Sequence, residues 1–239
     1  MARLLLLALL LLSGAATAAA QPVVDGFEAA TLGPLWTTRA VSGRVTVQGD
    51  VVRSGASAVR LEVNETDMAQ VGGDGEATER AEIREARGLE ARFGETYEYQ
   101  FSMYVPADFP IVDTRLVTSQ WKQDCDVCAK NRSPVVAQRY RRGVLHVTIE
   151  TLNGRTTIYR HPEKIQGRWL DLRYRIRFDW TDGAVTVWVN GARVADYRGP
   201  LGYPDDPPLV RFGMGPYRNR MGQPMILYFD DYRKERISD

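Results

Sequence analysis

The chain has 239 residues, 44% hydrophobic and 26% charged, with a formal net charge of +1. That length suits one domain with a sizeable core, and the near-neutral balance gives no whole-chain attraction to nucleic acid or any other polyanion. With only two histidines and two cysteines, at spacings that do not suit a metal, a zinc centre is excluded as well.

The first twenty residues carry Arg3, the apolar run Leu4 to Leu12, and small residues ending at Ala18, Ala19 and Ala20. Nine apolar residues are too few to cross a bilayer core, which takes roughly 20. The pattern is that of a secretory signal peptide, so residues 1–20 are assigned to it and residues 21–239 to a single exported domain, secreted or periplasmic, with no membrane span after cleavage. Residues 58–63 (AVRLEV) and 96–104 (TYEYQFSMY) are rich in β-branched and aromatic residues and read as strands. Between them, residues 78–93 hold many helix formers, with Ile83, Ala86, Leu89 and Phe93 at roughly helical spacing. As a strand, the same stretch would put Arg80, Glu82 and Arg84 on one face, and sequence alone leaves both readings open.

Cys125 and Cys128 are the only cysteines, and in an exported protein they are expected to form a small local disulfide. From Lys130 to Arg177 there are 12 Lys/Arg against 3 Asp/Glu, a basic stretch that suits either a polyanion or solvated strand faces. Residues 144–150 read as a strand. In residues 172–178 Leu172, Tyr174, Ile176 and Phe178 alternate with Arg173, Arg175 and Arg177, one apolar face and one charged. A turn at 181–184, a strand at 185–189 and a type I′ signal at Asn190-Gly191 follow. The segment 212–219, FGMGPYRN, is an odd strand, because glycine and proline both weaken a ladder. Residues 226–232 close the chain. Frequent turn signals and the absence of repeats indicate an all-β antiparallel sandwich or barrel.

Three stretches carry candidate chemistry together: Arg80-Ala-Glu-Ile-Arg84, Ser119-Gln-Trp-Lys-Gln123 and Phe212 to Asn219. In these the chain resembles the concanavalin A-like jelly-roll polysaccharide lyases of the heparin lyase I and glucuronan lyase type. It is similar in layout to alginate lyases, whose motifs read R-[ST]-E-[LV]-R, Q-[IV]-H and Y-F-K-A-G-x-Y-N-Q. The likeness continues through Asp108-Phe-Pro110, Trp169, the hairpin from Asp179-Trp180 to Asn190-Gly191, Asp196 to Pro200 and Phe229-Asp-Asp231, in the same order over nearly the whole exported chain.

The resemblance implies a monomeric lyase cleaving an acidic, uronate-containing polysaccharide by β-elimination, with no cofactor required for the chemistry. It makes Gln120 and an arginine of the first motif, taken as Arg80, the holders of the uronate carboxylate, and Tyr217 the acid and also the base when both groups lie on one face of the sugar. Glu82 would orient an arginine. Arg84, Arg218 and Asn219 join it as substrate-binding candidates, and Arg139 and Tyr140 as a groove rim. Related folds hold a structural Ca2+, for which Glu28 and Asp230 are the oxygen donors here. Lys122 stands where the family has histidine: it either has a depressed pKa and acts as base, or stays charged and neutralises the substrate. The alternatives are a non-catalytic binding module on the same sandwich, or a laminarinase-like hydrolase, although the E-x-D-x-x-E strand that a hydrolase needs is absent.

Overall fold

The computed structural model describes residues 21–71, 77–124 and 132–238, so residues 1–20, expected from the sequence to be a leader, and both Cys125 and Cys128 lie outside the described residues. All regular structure within them is strand, paired antiparallel, in two sheets. In spatial order the first sheet is β15 (Ala192–Gly199), β14 (Gly183–Val189), β13 (Arg168–Arg177), β8 (Thr96–Val105), β17 (Met225–Ile237), β4 (Ala58–Val63) and β3 (Val45–Gln48), with β1 (Val23–Asp25) beside β17. The second is β12 (Gly154–Arg160), β11 (Val144–Thr151), β10 (Val136–Arg141), β9 (Leu116–Gln123), β16 (Leu209–Asn219), β6 (Ala77–Glu85) and β2 (Trp36–Ala40). On this second sheet β5 (Met68–Val71) pairs with β6 and β7 (Ala91–Arg92) with β16.

Side chains that alternate along each strand divide the molecule into a shared interior and two outer faces. In β13, Leu172, Tyr174 and Ile176 are buried as their alternation predicts. Trp121 of β9 is fully buried, with ring centroids 4.6 Å from Tyr174 and 4.8 Å from Phe212. The sheets are therefore sealed by aromatic contacts from both sides. The I′ turn forms as expected, with Asn190 and Gly191 both at positive φ.

The ambiguous stretch resolves as strand β6. Flanked by β2 and β16, it satisfies both of its backbone edges, and this tertiary pairing outweighs its helix propensity. Its inward row is Glu79, Ala81, Ile83 and Glu85, all fully buried. The two buried carboxylates are matched. Glu79 meets Arg218 at 2.8 Å, and Glu85 accepts from the Phe212 amide at 3.0 Å, the Tyr232 hydroxyl at 2.5 Å and Lys234 Nζ at 2.9 Å. The outward row is Arg80, Glu82 and Arg84.

Candidate active site

The site lies on the outer face of the second sheet, where β9, β16 and β6 run side by side. Gly215 has φ +124°, a region other residues rarely enter, and a Cβ there would stand 2.2 Å from the Ala81 carbonyl oxygen. Pro216 follows without an N–H. Together they make a bulge, in which the three steps from Met214 to Tyr217 match only two steps along β9, from Ser119 to Val117. Beyond it Tyr217 emerges on the outer face opposite Arg80.

The Tyr217 ring is held between two guanidinium groups, with Arg80 Cζ 4.1 Å and Arg115 Cζ 4.4 Å from its centroid. Burial pushes the phenol up, but the Arg115 charge, hydrogen bonds from Arg115 and Thr78, and the Arg80 charge outweigh it and leave the phenol below the usual tyrosine value. Arg80 pairs with Glu82 at 2.9 Å, and Gln120 donates from Nε2 to the other Glu82 oxygen. Gln120 belongs to β9 and Glu82 to β6, so this contact passes over β16, which contributes Gly213 in register with Gln120. A Cβ at Gly213 would meet the Ile83 carbonyl oxygen at 3.3 Å and Arg84 side-chain carbons at 3.7 and 3.8 Å. Because Glu82 only accepts, Gln120 must turn its amide nitrogen toward it, leaving one N–H and the carbonyl oxygen for a ligand.

Lys122 is partly buried on the same face of β9. Burial pulls its pKa down, the Tyr217 phenol pulls it up, and Arg80, Arg84 and Arg39 push it down again, for a net lowering. Arg84 also borders this crevice, with Arg39 and Arg211. Burial, then Arg211, brings its pKa to about 10. Its charge is used internally, because Asp124 ties it at 3.0 Å and Arg211 at 2.7 Å. Asn219 stands two residues beyond Tyr217 on the outer side of β16.

Toward the far edge of the sheet a groove of about 420 Å3 is lined by Arg115, Arg139, Arg141, His146, Thr148 and Arg155, among others. Arg139 reaches it from β10 and donates from Nε to Thr148 Oγ1 at 3.0 Å. His146 lies on β11, three strands from β16, which is about 14 Å at ordinary strand spacing. Burial and the charges of Arg160 and Arg141 keep its pKa low.

Two candidates are corrected. Arg218 is fully buried, paired with Glu79 and donating to the Gln223 carbonyl at 2.5 Å and the Met221 carbonyl at 3.2 Å. Tyr140 is buried against Phe109 and donates its hydroxyl to the Pro110 carbonyl at 3.0 Å. Neighbours on a strand point to opposite faces, so with Tyr217 and Arg139 outward, Arg218 and Tyr140 must be inward. The calcium donors are corrected too. Glu28 binds the Ala56 amide, and Asp230 the amides of Arg53, Ser54 and Asp231, so both carboxylates clamp one loop. Among the described residues no three carboxylate, histidine or cysteine side chains gather as metal donors, and a clamp already filled by amides does not fit an ion that takes 6–8 oxygens.

Sequence reading missed Arg115, which precedes β9 in no recognisable pattern. Only the register that sets Val117 against Tyr217 brings it to the phenol.

A two-sheet antiparallel sandwich with its polar groove on one outer face is a jelly roll. The chain belongs to the polysaccharide lyase family, whose model matches residues 27–233. It is similar in fold to an endo-β-1,4-glucuronan lyase from the fungus Trichoderma reesei, at 16% identity and a TM-score of 0.64, over 84% of this chain and 94% of that one. Alginate lyase A1-II′, a member of polysaccharide lyase family 7, aligns at 13% identity and a TM-score of 0.62, over 83% and 86%. The catalytic domain of a glycoside hydrolase family 131 protein from Coprinopsis cinerea aligns at 12% and 0.59, over 85% and 86%. No curated protein matches the sequence. Among the described residues no helix is long and apolar enough to cross a membrane.

Proposed function

We propose that the protein is a secreted, monomeric lyase that cleaves a uronate-containing polysaccharide by β-elimination, with Tyr217 performing both proton transfers. The observation that carries this reading is the placement of Tyr217 between Arg80 and Arg115, beside the Gln120–Glu82–Arg80 chain. The C5 proton of a uronate is weakly acidic while its carboxylate is charged. Gln120, through its remaining N–H, and Arg80 neutralise that carboxylate as the enolate-like state develops. The Tyr217 phenolate takes the C5 proton, the C4–O bond breaks as C4=C5 forms, and the same hydroxyl returns the proton to the departing oxygen. No net proton is consumed, and the phenolate is restored.

Lys122 keeps its proton in this scheme, because a phenolate beside it favours the ammonium. It supplies charge in place of the family's histidine. The hydrolase alternative needs two carboxylates about 5 to 5.5 Å apart, whereas both oxygens of Glu82 are engaged by Gln120 and Arg80.

Glucuronan, alginate, heparin and pectate should each be offered while the ultraviolet absorbance of the unsaturated uronate is followed. Tyr217→Phe is expected to cut turnover of the accepted polymer by about 10^3-fold or more, since positioned acid–base groups contribute roughly 10^2–10^4-fold each. Binding with no unsaturated product by the unaltered protein refutes the lyase reading in favour of a binding module. New reducing ends without absorbance point to a hydrolase.

A further inference from the structure

Four arginines line the groove beside Tyr217, and they are not equivalent. Arg141 is held by Asp113, and Arg155 by Glu150 at 2.5 Å. Arg115 and Arg139 form no close ion pair with a carboxylate among the described residues; Glu150, already held by Arg155, acts on Arg139 only from a distance. A partly buried guanidinium without a close counter-ion is costly, because burial removes water without returning a matched opposite charge. In Arg139 burial and the neighbouring charges of Arg155 and Arg115 outweigh the opposing pull of Glu150 and bring the pKa to about 10. Thr148 holds its Nε but supplies no negative charge, so the outer nitrogens remain available to a ligand in the groove.

Position ties this cation to the reaction. Arg139 is in register with Val117 and Val117 with Tyr217, so the backbones of Arg139 and Tyr217 lie two strands, or about 10 Å, apart. Arg115 bridges the interval, lining the groove while stacking on Tyr217.

We propose that Arg139, with Arg115 and Arg155 beside it, forms a second anion subsite that takes the acidic group of a sugar neighbouring the one being cleaved. Resting on the lyase reading above, this makes the preferred substrate a chain with acid on neighbouring sugars, rather than one with an isolated uronate at the cleavage point. The ligand chemistry is a planar or tetrahedral oxyanion, either the carboxylate of the next uronate or a sulfate ester.

The test measures affinity and turnover for Arg139→Gln, Arg139→Lys and the unaltered protein. The probes are glucuronan, alginate, heparin and heparin with its carboxylates reduced and its sulfates intact. Arg139→Gln is expected to weaken binding of the preferred polymer by about 10- to 100-fold, the usual worth of a charge-assisted hydrogen bond, and Arg139→Lys by less. The melting temperature of Arg139→Gln should be equal or higher, since a partly buried charge with no close ion pair is removed from among Arg155 and Arg115. If the effect persists on carboxyl-reduced heparin the anion is a sulfate, and if it vanishes there it is a carboxylate. Unchanged affinity in Arg139→Gln, or a loss of affinity matched by a fall in melting temperature, overturns the subsite. A protein that binds and shows the Arg139 effect but yields no unsaturated product refutes the lyase reading alone. Failure to bind any probe overturns both.

Discussion

Gly215→Ala removes no functional atom, yet the structure predicts a large effect. The added methyl would meet the Ala81 carbonyl oxygen at 2.2 Å, Glu82 Cα at 2.9 Å and Leu61 Cδ2 at 3.0 Å. The leucine methyl can rotate away; the two backbone atoms cannot. Holding a non-glycine residue at φ +124° costs about 1–3 kcal/mol, and forcing a methyl into packed backbone another 1–3 kcal/mol. The expected loss is about 3–5 kcal/mol out of a typical total of 5–15. At about 2–4 °C per kcal/mol for a domain of this size, the melting temperature should drop by roughly 6–20 °C. Urea unfolding followed by tryptophan fluorescence measures it directly. The folded fraction should also lose turnover by roughly 10^2-fold, because the bulge aims Tyr217 and an error near 1 Å is enough. Gly213→Ala is the matched comparison for stability, since its methyl meets the Ile83 carbonyl oxygen at 3.3 Å and Arg84 side-chain carbons only at ordinary contact distance, 3.7 and 3.8 Å, and should cost under about 1 kcal/mol. A Gly215→Ala protein within about 0.5 kcal/mol of the parent would refute the claim that the backbone here is built around a missing Cβ.

Glu85→Gln should destabilise by about 3–5 kcal/mol in thermal or urea unfolding, because Lys234 keeps its buried charge without a counter-ion; the double variant Glu85→Gln/Lys234→Met, which removes that charge and keeps a polar partner for the Phe212 amide and the Tyr232 hydroxyl, should recover much of that loss. In the pH profile of kcat/KM, activity falls on the acid side as the Tyr217 phenolate takes up a proton. With the phenol's pKa depressed, that limb lies below the free-tyrosine value of about 10. Arg115→Gln removes the main lowering charge and leaves burial in place, so the limb should move to higher pH, and a limb that stays in place would argue against phenolate catalysis.

Much of the architecture was legible because period-2 alternation is strong in β13 and β14 and the Asn190-Gly191 turn permits few alternatives. The β6 stretch was not, because its composition favours helix while its pairing partners lie far away in sequence. The outward residues of β6, β9 and β16 could be named as a group, but motif adjacency misled at Arg218 and Tyr140, where strand parity alone was enough to send them inward. Arg115 was illegible for a different reason. It is brought to Tyr217 by a register that a bulge sets, and bulges shift which residues meet without leaving a clear trace in composition. The two glycines of FGMGPYRN differ: Gly215 meets a backbone demand, whereas Gly213 lies on the strand crossed by the path from Gln120 to Glu82.

That path has a consequence for how such a site can diversify. Gln120 and Lys122 flank Trp121, which points the opposite way into the aromatic interior. The reacting face can therefore exchange one side chain for another, lysine for histidine included, while the interior residue between them holds the strand in place. Chemistry and scaffold are interleaved in the chain but separated in space, so new specificities are open to substitution one position at a time.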